Sequence, residues 1–234
     1  MKSIIVTGAS SGIGLATAEV FLAAGWRVGL IARRADRLAA LASQHGDAAV
    51  ALACDVTDPE AMEAAFAKFG RLDVLFNNAG IFGPSAPIDE VSIEAFDEVV
   101  SVNLRGMFIA ARLAFGQMRR QTPQGGRIIN NGSISAHVPR PGSICYTTTK
   151  HAITGMTRTL SLDGRPFDIA CGQIDIGNAE SELVAALKAK QPEMATMDVQ
   201  HAAHSVLHMA ELPLSANVQF MTVMATKMPY IGRG

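Results

Sequence analysis

Apolar residues along this chain fall into two kinds of stretch that alternate. Short continuous runs are followed by segments in which apolar positions recur every third or fourth residue. SIIVTG (3–8) predicts a buried strand and GLATAEVFLAAG (14–25) a helix that stops at Gly25. RVGLIA (27–32) and RADRLAALASQHG (34–46) repeat the pair, and AVALACDV (49–56) with DPEAMEAAFAKFG (58–70) repeats it again. LDVLFNNAG (72–80) predicts a fourth strand. A long helical region, 93–120, follows with a break near Asn103. Then come a strand in GGRIINNGS (125–133), a helix over 143–162 and a strand in FDIACGQID (167–175). Helical segments over 181–190 and 199–212 precede a last strand, NVQFMTVMA (217–225). Alternating β and α units with apolar strands imply an α/β fold. The expectation is a single doubly wound Rossmann-type domain over 1–234, with a parallel sheet of about seven strands and helices on both faces.

Composition narrows the function classes. Of 234 residues 49% are hydrophobic, and the net charge is −1. No imbalance draws nucleic acid or an anionic membrane surface. Tyrosine and tryptophan are scarce, so a stacking platform for single strands is not expected. Cys54, Cys145 and Cys171 lack metal-ligand spacing and are odd in number, which suits reduced thiols in a cytoplasmic protein. The opening MKSIIVTGAS is too short in apolar residues for a signal peptide. No run of about 18 apolar residues is expected to cross a membrane.

The first chemistry lies in VTGASSGIG (6–14), between the first strand and the first helix. Gly8, Gly12 and Gly14 permit a tight turn and a close backbone approach, and the helix N-terminus suits a pyrophosphate. Ser10, Ser11 and Ile13 lie in the same turn. A dinucleotide is therefore expected here. An acidic residue at the end of the second strand would bind the ribose hydroxyls of NAD. That end reads LIARRADR: Ala32 holds the acidic position, Arg33 and Arg34 follow, and Asp36 lies too far along. Two guanidiniums and no carboxylate favour the 2′-phosphate of NADP(H).

A second constellation is SICYTTTKHAITG (143–155), which puts Tyr146 and Lys150 on one helix face. An ammonium beside a phenol favours phenolate and lowers its pKa. Alone the pair is unspecific. With its neighbours, the sequence resembles the short-chain dehydrogenases/reductases of the compact single-domain branch, over nearly its whole length. TGASSGIG matches the family's glycine turn. CDV places Asp55, with Val56 beside it, at the adenine, and NNAG places Asn78, Ala79 and Gly80 beneath the cofactor. VNLRG, NNGSISA and YTTTK place Asn103, Ser133, Tyr146 and Lys150 at the family's catalytic positions. Ser133 precedes Tyr146 by 13 residues, as the family requires; the rival hydroxyl, Ser135, is two residues out of place.

The resemblance implies an NADP-dependent alcohol dehydrogenase or carbonyl reductase acting on a small carbonyl or alcohol substrate. Tyr146 would be general acid or base. Lys150 would lower its pKa and hold the nicotinamide ribose. Ser133 would bond the substrate oxygen, and Asn103 would hold a water that relays protons to Lys150. It also implies a homo-oligomer, a dimer or more readily a tetramer, packed through the helices of 93–120 and 143–162. The alternative is a catalytically silent NADP-binding sensor, although such chains lose the Tyr or Lys. An epimerase or dehydratase would need a longer chain.

Two stretches depart from the family. In ACGQIDIGNAES, Gly177 keeps the family glycine, Ile176 replaces a proline and Gly172 an asparagine. Ala179 and Ser181 fall where nicotinamide contacts are common. Asp175 is either a substrate contact or, the favoured reading, a solvated residue at the strand end. Six methionines between Met194 and Met228 suit core filling, or else a broad apolar pocket. The substrate would be bounded by His137 and Arg140, by Ile81 and Phe82, and by 181–198. His137 and Arg140 are expected to be solvated, or to meet an acidic substrate.

Overall fold

The computed structural model describes residues 1–181, 184–185, 188 and 193–231. Strand β1 (Ser3–Thr7) is buried along its whole length because helices cover both faces of the sheet. Its side chains alternate between faces: Ile4 and Val6 join one core, Ile5 the other. After β1 come α1 (Gly12–Ala23), β2 (Arg27–Ala32), α2 (Ala35–His45), β3 (Ala49–Ala53), α3 (Pro59–Phe69) and β4 (Val74–Asn77). Pro59 opens α3, and the Asp58 carboxylate accepts from the N–H groups of Glu60 and Ala61, so this helix start is set by local chemistry.

The region 93–120 is one continuous helical path: α4 (Ile93–Val100), a π-helical turn (Ser101–Gly106) and α5 (Met107–Arg120). The expected break at Asn103 is that π turn. By length and apolar composition this path passes for a membrane-crossing helix, contrary to the expectation of none. Here its inner side covers the sheet with Met107, Ala110, Ala114 and Met118. The chain continues through β5 (Gly126–Asn131), α6 (Ile144–Gly164), β6 (Ile169–Ile176), α7 (Val199–Glu211) and β7 (Phe220–Val223). The helix expected over 181–190 falls mostly outside the described residues.

All strand pairs are parallel, in the order β3-β2-β1-β4-β5-β6-β7. The chain reverses direction across the sheet between β1 and β4. Ligands bind such sheets at the carboxyl ends of the strands flanking that reversal. Phe21, Leu38, Phe76 and Met209 fill the core on one face, and Met62, Phe66, Phe69 and Ile109 that on the other. β7 is shorter than its apolar pattern predicts. Before it, the Asn217 amide donates to the Cys171 carbonyl (2.7 Å) and accepts from the buried Arg127 guanidinium (2.9 Å), which seats the α7–β7 connection.

Candidate active site

The glycine turn bends as its sequence requires. Gly8 and Gly12 take φ of +72° and +53°, a region that strains other residues. A β-carbon on Gly14 would overlap the Gly8 carbonyl and the Asn78 amide, so the third glycine permits packing rather than contact with a ligand. No side chain caps α1, which leaves its first N–H groups for a ligand. The Ser10 and Ser11 hydroxyls instead accept from Arg34, at 3.0 and 2.6 Å. Arg33 lies nearby, its side chain 74% exposed and 4.0 Å from the Asp55 carboxylate. A cleft of about 490 Å³ runs from these arginines past Asp55, Val56, Asn78, Ala79 and Gly80 to Tyr146 and Lys150, with Gly8, Ser10, Ser11, Gly12 and Ile13 along its wall.

A chain of hydrogen bonds forms its floor. The Thr7 hydroxyl accepts from the backbone N–H groups of Asn78 (2.8 Å) and Ala79 (3.0 Å). Asn131 donates its amide to Asn78 Oδ1 (2.8 Å), and Lys150 Nζ donates to the Asn131 carbonyl (2.7 Å). Thr7 and Asn131 were not singled out by sequence reasoning. The available signal was a polar residue at the carboxyl end of an otherwise apolar strand.

Asn103 is fully buried in the π turn. Its amide accepts from Ile81 N–H and donates to the Ile81 carbonyl, both at 2.8 Å, and reaches Thr149 Oγ1 at 3.2 Å. The side chain therefore ties the loop after β4 to α6, and does not line the cleft. Ser133, just beyond β5, is positioned to hydrogen-bond the Tyr146 phenol. Its hydroxyl also accepts from Ser135 N–H (3.1 Å), so Ser135 supports Ser133 through its backbone. The Tyr146 ring meets Phe82 edge-on, with centroids 4.6 Å apart.

Lys150 Nζ lies 5.4 Å from the Tyr146 ring centroid. The expected lowering of the phenol pKa is reversed in the free protein. Burial pushes Tyr146 up, Asp175 adds to this, and the neighbouring Ser133 hydroxyl and the charge of Arg140 oppose it. Burial also brings Lys150 down from 10.5 to about 8, partly countered by Asp175. The ammonium is costly in the same enclosure that makes the phenolate costly.

Asp175 corrects a second expectation. It is neither solvated nor open to a ligand, but fully buried. Oδ1 accepts from Ser133 N–H (2.9 Å) and from Gln173 Nε2 (2.7 Å), and Oδ2 lies 2.7 Å from His137 Nε2. His137 thus turns to Asp175 rather than lining the substrate cavity. That cavity, of about 70 Å³, adjoins the cleft and is bounded by Ser133, Tyr146, Phe82, Arg140, Gly177, Ala179, Ser181 and Met228. Most of the methionines fill gaps: Met209 is in the core and Met197 and Met221 pack against it, while Met228 reaches the cavity. Among the described residues no cluster of His, Cys, Asp or Glu is placed to hold a metal ion.

The fold and this site define a nucleotide-cleft α/β protein with a tyrosine between two cavities. Residues 2–192 match the short chain dehydrogenase family model, and the chain belongs to that family of oxidoreductases. It is 37% identical over 200 residues to the 2-(R)-hydroxypropyl-CoM dehydrogenase of Xanthobacter autotrophicus, covering 81% of this chain and 79% of the relative. Its fold is shared with the closed form of a serine dehydrogenase complexed with NADP+, at a TM-score of 0.91 and 24% identity over 99% of this chain and 98% of that one. It is also similar to a 3-ketoacyl-(acyl-carrier-protein) reductase from Brucella melitensis complexed with NADH, with a TM-score of 0.86 and 28% identity over 95% and 96%.

Proposed function

We propose that the protein is an NADP(H)-dependent oxidoreductase that interconverts a secondary alcohol and a carbonyl compound, with Tyr146 exchanging the proton. The observation that carries this reading is that Tyr146 lines both cavities, with Ser133 on the smaller one and Lys150 on the larger. A substrate carbon in the smaller cavity would face whatever fills the cleft, with its oxygen between Ser133 and Tyr146.

The cleft suits a nicotinamide dinucleotide, which would supply the hydride acceptor or donor. The glycine turn and the uncapped α1 N-terminus would hold the pyrophosphate. Arg33 and Arg34 would hold a 2′-phosphate, Asp55 and Val56 the adenine, and Asn78, Ala79 and Gly80 would lie beneath the sugar. Gly177 and Ala179 would meet the nicotinamide end. Complexes of two solved neighbours with NADP+ and NADH support the cofactor class. Ser133 would donate to the substrate oxygen as charge develops on it. Lys150 would hold the ribose and favour phenolate, and its bond to Asn131 fixes its reach. Asn103 would act through its backbone and a relay water, since its amide is already engaged. A screen of aldehydes, ketones, oxo acids and oxo sugars with NADPH tests the reading; no turnover with any of them contradicts it.

Cofactor choice has its own test. Losing one charge-assisted contact costs about 1.5–3 kcal/mol. Arg33→Ala is therefore expected to weaken NADPH binding about tenfold or more, with little change for NADH, in fluorescence titrations. Equal affinity of the unmodified protein for both cofactors contradicts the assignment.

A homo-oligomer is part of the proposal. Phe108 on α5 and Leu162 on α6 are each 56% exposed, on the two helical regions through which a symmetry mate was expected to pack. Sedimentation at micromolar concentration is expected to give a dimer or tetramer. A monomer alone contradicts it.

A further inference from the structure

The smaller cavity holds a charge that favours the Tyr146 phenolate but to which the proposed chemistry assigns no partner. Among its described lining residues Arg140 is the sole charged side chain. Its Nε is closed off from solvent and has no hydrogen-bond partner. Its guanidinium carbon lies 5.6 Å from the centroid of the Phe82 ring. The buried carboxylate of the site, Asp175, is already taken up by Ser133, Gln173 and His137. A shielded donor without a partner is costly, and proteins keep few of them.

The backbone around Arg140 is restrained. Pro139 and Pro141 flank it and limit the chain on both sides. The Ser143 hydroxyl donates to the Arg140 carbonyl (2.7 Å) and bonds to Thr147 Oγ1 (2.8 Å), which ties the segment to the first turn of α6. The backbone that carries the cation is therefore restrained, and its side chain lines the same cavity as Ser133 and Tyr146. A planar guanidinium recognises a carboxylate through two parallel N–H···O bonds, and an aromatic face beside it keeps its plane.

We propose that Arg140 is a substrate-reading residue, and that the substrate is a short hydroxy acid or oxo acid whose carboxylate pairs with it. This rests on the oxidoreductase reading of the same site and adds the substrate class. The reacting carbon must sit at Ser133 and Tyr146, and Arg140 lines the same cavity of about 70 Å³. The carboxylate therefore sits on the same short molecule as the carbinol, and takes no part in the redox change.

Two measurements test this. The first is calorimetric binding of butanoate and butanamide to the protein saturated with NADPH. Butanoate is expected to bind at least tenfold more tightly, and Arg140→Gln is expected to erase that preference. The second is the ratio of kcat/KM for 3-hydroxybutanoate to that for its methyl ester, expected to fall tenfold or more in Arg140→Gln. Equal binding of acid and amide by the unmodified protein overturns the proposal, as does a preference that survives the substitution. Turnover of neutral alcohols without acid preference leaves the oxidoreductase reading standing and removes Arg140 from substrate recognition. Arg140-dependent butanoate binding with no turnover of any alcohol or carbonyl compound keeps the anion site and removes the oxidoreductase reading.

Discussion

Tyr146→Phe is expected to lower kcat about a thousandfold or more on any verified substrate, while the NADPH dissociation constant stays within about twofold. Proton transfer by a positioned side chain contributes roughly 10²–10⁴-fold, and no second phenol or imidazole lines the smaller cavity among the described residues. Phenylalanine keeps the ring that meets Phe82 edge-on at 4.6 Å, so packing is preserved. It removes a hydroxyl that burial already disfavours as phenolate. In the alcohol-oxidation direction the unmodified enzyme should gain rate with rising pH as the phenol ionises, and the variant should lose that limb. Stopped-flow hydride transfer and equilibrium titration of the cofactor read the two effects separately. Near-normal turnover in the variant would make Tyr146 a packed aromatic residue and remove it from the chemistry.

Lys150→Met is expected to do two opposite things: lower kcat/KM at least a hundredfold and raise stability at pH 7. The ammonium is buried, and its pKa falls from 10.5 to about 8. Each unit is worth about 1.4 kcal/mol, so its enclosure costs about 3 kcal/mol while both folded and unfolded states are protonated. Methionine removes that cost but leaves the Asn131 carbonyl without its donor, which returns about 1–2 kcal/mol. The net gain is about 1–2 kcal/mol. The sign with pH follows from the lowered value. Below pH 8 the cost is fully present. Between 8 and 10.5 the unfolded chain binds more protons, so the stability of the unmodified protein rises with pH. The variant lacks that rise, and its advantage shrinks over the same window. Urea unfolding at pH 7 and pH 9.5 measures both. A variant that is less stable at pH 7 and keeps the rise shows that the lysine charge is not the penalty.

Much of the fold was legible because its signals are local. Buried parallel strands read as unbroken apolar runs, and covering helices as a period near four, without knowledge of what packs where. The glycine turn was legible for the same reason: Gly8 and Gly12 are needed for their own backbone angles. Tyr146 and Lys150 share a face because α6 is a helix, whatever surrounds it. Less legible were the extent of β7, which is shortened where Asn217 bonds to a neighbouring strand, and the π geometry of the turn at Asn103, of which the sequence marks only a break.

The site divides along the same line. Sequence alone determined which groups stand at strand ends and helix faces: the glycines, Arg33 and Arg34, Ser133, Tyr146 and Lys150. Tertiary structure alone decided what those groups meet. Ser133 and Asp175 lie 42 residues apart, and the parallel register of β5 against β6 brings them together. That register buries Asp175, removes His137 from the cavity and turns an expected solvated carboxylate into a support for Ser133. Burial, rather than the four-residue spacing, sets the direction of the Tyr146 and Lys150 shifts, because desolvation depends on every element packed around a charge. Arg140 reads as a solvated loop residue in the sequence. Only the packing of Phe82 against α6, with the prolines on either side, leaves it half-buried on the cavity wall with its Nε unpaired, because exposure and pairing belong to the assembled fold and not to any local stretch of chain.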